Sequence, residues 1–552
     1  MHHSWSAARL LILAGGLVVF VGACSALPFS SDDADAPVAT FANEEITFEE
    51  VYAAWGRQPV EAVSDTTDTT AALVDFLNQY LNYRLKVHEA VEQGYADAPD
   101  FQNEVATYRR ERARPALIEE NVTKPLLDTL YVRQQYEVHV RHMLVEVDEN
   151  APPEDTTAAY ERIRDLQVQL EEGHAFSDLA REHSDDPSAQ QSGQRGFEGD
   201  LGYLTAGQLV EPFEDAMYRH PVEAPPRLVR SSFGYHLVDV MDRRPRTPDM
   251  RIAYIMLFPE DPNHPASHSE AAARADSLAS TLPPDSTAFA DAAQRYSADE
   301  QTAANGGELG WLTIEQHVPL PFRDAVRELN EDGAISEVVA LDNTYYLIQR
   351  RAIDPLPSFE EAEPELRDQL EELPRTERHK QAYVRSLHDH HAVRVDSNRV
   401  ATAFDLDDWT TPAHATDRTR AQSADAHAAV YVDQDTLTAA DFALHLRTHP
   451  SLRDLPFEEA LNRWLDDHVL NAAADAHAES DPELQRELRE FRDGALVFEL
   501  MQDSVWTAST NDPATDEAAD AERAFHERLR NRYNADLFPE RLRRYYDAAS
   551  HP

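Results

Sequence analysis

The residues best suited to chemistry in this sequence are two histidines and an aspartate. His142 and His236 each lie in a run of strand-forming residues, and Asp186 lies between them in a Ser-Asp-Asp-Pro segment. Antiparallel pairing can make neighbours of such distant strand positions. A neutral imidazole donates from one ring nitrogen and accepts at the other, so a hydrogen-bonded pair fixes both tautomers. Two alternatives stay open: the pair could simply hold a sheet together, and Ser-Asp-Asp-Pro is also an ordinary turn.

The segments that carry these residues occur twice, in the same order. The matches are Arg141–Val145 with Ala253–Leu257, His183–Asp186 with Tyr296–Asp299, Gly199–Tyr203 with Gly307–Trp311, Glu211–Ala216 with Leu320–Ala325, and Phe233–Val238 with Asn343–Ile348. This pattern predicts two copies of one domain. In the second copy tyrosines, Tyr254 and Tyr346, take both histidine positions. Tyrosine lacks the two imidazole tautomers, so the two copies are expected to differ in chemistry.

The first copy reads as a mixture of strands and helices. Val138, Val140 and Leu144 alternate with polar residues as in a strand, and Tyr235–Val240 reads as a closing strand. Between them, Tyr160, Ile163, Leu166 and Leu170 form a helical stripe. The sequence therefore predicts an α+β fold for each copy.

The segments outside the two copies are mainly helical and show a weaker repeat. Val38–Thr47 resembles Ala429–Thr438, and an amphipathic helix follows each. Any two short-strand-plus-helix segments would look similar, so this repeat could also be coincidental. Residues 359–395 form a charged helical stretch, and residues 397–424 have the composition of a linker.

The amino terminus has the features of an export signal. Arg9 precedes an apolar run, Leu10–Val21, that is short for a membrane span but typical of a signal-peptide core. The run ends at Cys24, the only cysteine of the chain, in a Val-Gly-Ala-Cys context that resembles the cleavage site of bacterial lipoproteins. We therefore expect lipidation of Cys24; an incidental free thiol is the alternative. Ser25 differs from the Asp that retains some lipoproteins in the inner membrane, which slightly favours the outer membrane.

The charge and the histidine content of the chain bear on its possible partners and ligands. The 552 residues include 101 acidic and 50 basic ones, for a net charge of −51, so nucleic acid is not an expected partner. Only three of the basic residues are lysines, a composition typical of proteins from high-salt environments or GC-rich genomes. The run His388–His391 could bind a metal, but its helix-end position among 24 histidines favours a solvated surface. No metal and no cofactor are expected.

At the repeated segments the sequence resembles the parvulin family of peptidyl-prolyl isomerases. The flanks resemble the helical chaperone module of exported parvulin foldases, the SurA, PrsA and PpiD group. The resemblance implies catalytic positions at His142, Asp186, Ser231 and His236, and a proline pocket formed by Leu201, Leu209 and Phe213. It implies a degenerate second site at Tyr254, Asp299, Leu309, Phe322 and Tyr346.

The expected architecture is α+β, with two tandem parvulin domains, each a small antiparallel sheet wrapped by helices, inserted in or attached to mostly helical chaperone modules. The expected divisions are a signal peptide (1–23), a lipidated tether (24–37), a helical module (38–135), parvulin domains 1 (136–245) and 2 (246–353), a helix completing the module (354–396), a linker (397–424) and a second helical module (425–552). The implied function is isomerisation at X–Pro bonds together with chaperone action on unfolded or newly translocated polypeptides, by a lipid-anchored, periplasm-facing protein. The alternative is a non-catalytic holdase that uses its parvulin domains to bind peptides.

Overall fold

The structure, a computed structural model, describes residues 37–56, 69–189, 198–314, 316, 318–341, 343–391, 393–396, 428–432, 435–506 and 516–550. The predicted signal peptide, Cys24, nearly all of the tether and the predicted linker lie outside the described residues. Within those ranges, no helix is both long and apolar enough to cross a bilayer. The chain forms two compact units: an outer unit, Met1–Leu117 with Arg394–Pro552, and a central unit, Ile118–Val393.

Strands and helices are interspersed along the described chain. The strands are β1 (Pro37–Phe41), β2 (Glu44–Thr47), β3 (Tyr136–Glu146), β4 (Asp200–Leu204), β5 (Arg227–Arg230), β6 (Gly234–Pro245), β7 (Asp249–Leu257), β8 (Glu308–Leu312), β9 (Val339–Leu341), β10 (Thr344–Asp354), β11 (Val393–Val395), β12 (Ala428–Val432), β13 (Asp435–Thr438) and β14 (Asp536–Leu537). The helices are α1 (Phe48–Gly56), α2 (Thr69–Glu92), α3 (Pro99–Ile118), α4 (Lys124–Gln134), α5 (Pro153–Glu171), α6 (Phe176–His183), α7 (Glu211–Arg219), α8 (Pro265–Thr281), α9 (Ser286–Tyr296), α10 (Glu300–Ala303), α11 (Leu320–Arg327), α12 (Phe359–Glu372), α13 (Arg375–His390), α14 (Ala439–Thr448), α15 (Phe457–Ser480), α16 (Pro482–Met501), α17 (Asp516–Arg532) and α18 (Pro539–Ser550).

The central unit contains two four-stranded antiparallel sheets of identical topology. The first has the strand order β4-β3-β6-β5 and the second β8-β7-β10-β9. Helices α5, α6 and α7 belong to the first sheet, and helices α8 to α11 to the second. The predicted α+β fold with two copies of one domain is thereby confirmed. We call the copies domain 1 and domain 2.

The central strand of domain 1 separates two apolar cores because its side chains alternate between the two faces of the sheet. Met143 and Val145 of β3 face helices α5 and α6, where Ile163 and Phe176 are buried. Val138 and Val140 point to the other face and pack with Phe213 and Met217 of α7. His142 comes two residues after Val140 in the same strand, so it lies on the same face of the sheet as Val140, next to α7.

Three helices of the central unit pack together beside domain 1. They are α4, α12 and α13, and we call them the connector. Leu127 and Leu130 of α4 share a buried cluster with Leu366 and Leu370 of α12. The sequence predicts one module over residues 38–135 that residues 354–396 complete. The boundary between the two compact units, at Leu117 and Ile118, falls within the first of these ranges.

Segments from both ends of the described chain share one apolar core in the outer unit. β1 pairs with β14, for example Ala39 with Leu537. The stripe Leu73, Leu77, Leu81 and Leu85 of α2 is buried in the same cluster as Leu496 and Leu500 of α16 and Phe525 of α17. Helix α2 of the first predicted helical module therefore shares a core with α16 and α17 of the second. Each module begins with a bulged antiparallel hairpin followed by a helix, as the weaker repeat suggested.

Candidate active site

The two histidines of domain 1 face each other in the sheet. His142 on β3 pairs with Val238, and Leu144 pairs with His236 on β6, so the two imidazoles occupy diagonal positions on one face. Their Nδ1 atoms are 3.4 Å apart, and their rings are nearly parallel, with centroids 5.7 Å apart. Both residues are buried, with exposures of 5% and 4%. The predicted proximity of the pair is what the structure shows.

Two further predicted residues lie at the ends of this pair. Ser231 Oγ is 2.7 Å from His236 Nε2, and an Asp186 carboxylate oxygen is 3.5 Å from His142 Nε2. One set of protons satisfies all four groups: Ser231 donates to His236 Nε2, His236 Nδ1–H donates to His142 Nδ1, and His142 Nε2–H points at Asp186. Both imidazoles are neutral in that arrangement.

The surroundings favour a neutral His236 and an ionised Asp186. Burial, reinforced by the neighbouring His142, lowers the pKa of His236 from 6.5 to about 4. Hydrogen bonding from His142, followed by that from Ser188, holds the pKa of Asp186 well below its ordinary value. Asp186 also accepts the Ser188 amide at 2.8 Å, so the turn that the sequence left open as an alternative is present as well.

The predicted pocket residues gather on the same side of the sheet. Phe213 is 2% exposed and meets both imidazoles edge-on, at centroid distances of 5.3 Å from His142 and 5.4 Å from His236. Leu201 and Leu209 are partly buried against the cluster that contains Phe213. The site therefore combines an apolar pocket with a short hydrogen-bonded chain of polar groups.

Two residues that support this arrangement were not singled out from the sequence. Gly199, at φ +87°, accepts the His142 amide at 2.8 Å, and a Cβ there would lie 2.5 Å from the His142 carbonyl oxygen. Ser184 Oγ accepts the Leu144 amide at 3.0 Å, which ties the Asp186 turn to β3. Both recur in domain 2, as Gly307 and Ser297. The sequence signal that could have revealed them is that the same residue types, glycine and serine, stand at these positions in both copies.

The second site keeps the geometry but changes the chemistry. The Tyr254 and Tyr346 rings are 5.8 Å apart, and Phe322 meets both edge-on. The Tyr254 hydroxyl donates to Asp299, and burial together with this bond raises the Tyr254 pKa to about 12. Leu309, the counterpart of Leu201, is 42% exposed. Domain 2 thus has no imidazole pair and a more open pocket edge.

The fold and the paired-histidine site define a class. Residues 127–244 and 245–352 each match the family described as the PPIC-type PPIASE domain, which is the parvulin class. Residues 127–352 therefore form two domains of the parvulin class, and the chain is similar to the foldases of the SurA, PrsA and PpiD group.

Individual relatives match over part of their length. The chain is 33% identical to the Chaperone SurA of Chromohalobacter salexigens over 231 residues, which are 40% of this chain and 50% of that protein. It is 31% identical to the Chaperone SurA of Nitrosococcus oceani, over 39% of this chain and 49% of that protein. The chain thus spans about half the length of these curated relatives. Among solved structures, the foldase protein PrsA from Streptococcus pneumoniae matches at 24% identity and a TM-score of 0.17, over 22% of this chain and 41% of that chain.

Proposed function

We propose that domain 1 is a peptidyl-prolyl cis/trans isomerase, and that the whole chain assists the folding of exported polypeptides. The observation that carries this proposal is the buried His142–His236 pair, enclosed by Phe213 and continued by Ser231 and Asp186, within a domain of the parvulin family. Unfolded polypeptides with X–Pro bonds are the proposed substrates. The SurA relatives, whose name describes a chaperone, support this extension to the whole chain.

Isomerisation needs no covalent intermediate. Rotation about an X–Pro bond breaks amide resonance, at a barrier of roughly 18–20 kcal/mol, and an enzyme has only to bind the twisted amide more tightly than the planar one. Leu201, Leu209 and Phe213 would hold the proline ring and keep water away. The chain of hydrogen bonds from Ser231 to Asp186 would place fixed polar groups beside the rotating carbonyl.

The remaining parts of the chain receive supporting roles in this proposal. Domain 2, with Tyr254 and Tyr346 at the histidine positions, would be a weak or inactive isomerase that binds or spaces the client. Lipidation of Cys24 would hold the protein at a membrane surface, facing the periplasm, with the outer membrane favoured by Ser25. The helical outer unit would supply chaperone action.

The deciding experiment measures isomerase activity of the full chain on a proline tetrapeptide, in low and high salt. His142→Ala should lower kcat/KM by about tenfold or more, equivalent to about 1.4 kcal/mol of transition-state stabilisation. Tyr254→Ala, the matched change in domain 2, should leave activity nearly unchanged. A wild-type chain that is inactive but still suppresses the aggregation of unfolded proteins would replace the proposal with the non-catalytic holdase.

A further inference from the structure

A fully buried carboxylate lies next to the pocket phenylalanine of domain 1. Glu214 follows Phe213 in α7 and is 0% exposed. Arg375 of α13 binds both of its oxygens, at 2.9 and 2.8 Å, and Arg133 of α4 binds one at 2.7 Å. The Gly207 amide donates to the other at 2.8 Å. Burial raises the pKa of Glu214, but the hydrogen bonds from Arg375, Gly207 and Arg133 outweigh it and hold the pKa below its ordinary value.

The connector also contacts residues 206 and 207, at the start of the segment that leads to Phe213. Ala206, which precedes Gly207, is buried in the connector's own apolar cluster. Gln134 of α4 donates to the Ala206 carbonyl at 3.2 Å and to Gln369 of α12 at 3.0 Å. A Cβ on Gly207, at φ +92°, would lie 2.2 Å from the Gln369 amide nitrogen. Residues 206–214, which carry Leu209 and Phe213, are therefore held at both ends by connector helices.

Domain 2 satisfies the equivalent buried position with groups of its own. The position of Glu214 is taken there by Arg323, which is 6% exposed. Arg323 donates to the carbonyl oxygens of Thr313, at 3.2 Å, and Gln316, at 2.5 Å, both within its own domain. Domain 1 thus has a carboxylate that requires two arginines from the connector, and domain 2 has an arginine that is satisfied internally.

We propose that Glu214, Arg375 and Arg133 are positioning residues through which the connector sets the shape of the proline pocket in domain 1. This inference rests on the proposed function. A desolvated carboxylate between two arginines tolerates few geometries, because loss of a partner leaves a buried charge unpaired. Helix α7 and the loop before it therefore take their places relative to the histidines only when the connector is docked. A small displacement of Leu209 or Phe213 would therefore weaken binding of the proline ring.

The test compares full-length Arg375→Met with Arg385→Met, a control at an exposed position of the same helix. Activity is titrated against a proline tetrapeptide to separate kcat from KM. Arg375→Met should raise KM by roughly five- to tenfold with kcat little changed, because the proline ring keeps its shape during rotation and its pocket therefore contributes equally to ground-state and transition-state binding. Arg375→Lys, which keeps the charge but not the fork of two donors, should give an intermediate KM.

Two outcomes would overturn the inference. The first is a fall in kcat at constant KM, because a purely structural role would only lower the folded fraction. The second is an equal KM for Arg375→Met and Arg385→Met. If Arg375→Met does not fold, Gln369→Ala leaves the buried ions in place and should still raise KM. If the wild-type chain proves inactive, the proposed function fails. The dissociation constant of the same peptide, measured by NMR titration, then decides the inference: weakening only in the Arg375 and Gln369 variants supports it, and unchanged affinity refutes it.

Discussion

Acid should destabilise domain 1 through one histidine. Burial, reinforced by the neighbouring His142, lowers the pKa of His236 from 6.5 to about 4. The unfolded chain takes up this proton near pH 6.5 and the folded domain only near pH 4, so stability rises with pH between these values. At about 1.4 kcal/mol per pKa unit, the contribution is about 3 kcal/mol. It is fully present above pH 6.5 and is lost as the pH falls through 4.

The assay is urea unfolding across this pH range, followed by the methyl NMR signals of Leu237 and Val238. Both residues are 0% exposed, so their signals report on domain 1 alone. His236→Gln should reduce the slope of the unfolding free energy against pH by the equivalent of up to one bound proton. His174→Gln, at an exposed position in the same domain, should leave this slope unchanged. Identical slopes for the wild type and His236→Gln would refute the reasoning, as would a His236 ring titration centred near pH 6.5.

Three other substitutions or truncations test contacts around the site and in the outer core. Gly199→Ala should destabilise domain 1 and lower isomerase activity, because the added Cβ would clash with the His142 carbonyl oxygen. Gly202 is the control: it also has a positive φ, but no atom lies within 4 Å of an added Cβ, so Gly202→Ala should lower the free energy of unfolding by only about 1–2 kcal/mol, measured by thermal unfolding. Ser231→Ala removes the hydrogen bond to His236 and should cost about 1 kcal/mol, seen as a lower urea midpoint. Ending the chain after residue 506 should make the outer unit sensitive to proteolysis, since it removes buried Phe525 and the partner strand of β1; a resistant unit would contradict the shared core.

The sequence predicted the two tandem α+β domains because strand alternation and the internal repeat are local signals. The internal repeat matches His142 with Tyr254 and His236 with Tyr346. The structure places His142 and His236 on neighbouring antiparallel strands of the first sheet, and Tyr254 and Tyr346 on neighbouring antiparallel strands of the second. The family match confirms that the domains are of the parvulin class. The catalytic roles of His142, Asp186, Ser231 and His236 stay predictions, although the structure gathers all four residues.

The arrangement of the helical segments could not be read from the sequence. Helix patterns identify an apolar face but not the surface that covers it. Leu81 of α2 and Leu500 of α16 look like the faces of two independent modules, yet both are buried in one core. Likewise, nothing local distinguishes α4, which packs on α12 in the central unit, from α3, which precedes it and lies in the outer unit up to Leu117.

The buried ions show why such pairings escape a sequence pattern. In a linear sequence Glu214 is one acid among 101, and its importance depends on Arg133, far along α4, and Arg375, in a helix after domain 2. The internal repeat gave one indication that Glu214 is special, because Arg323 takes its position in an otherwise similar segment of domain 2. A reversal of charge at a buried position requires a different set of partners. The two copies therefore differ not only at their histidines but also at this buried position: Arg133 and Arg375 of the connector bind Glu214, whereas Arg323 donates to carbonyl oxygens of its own domain.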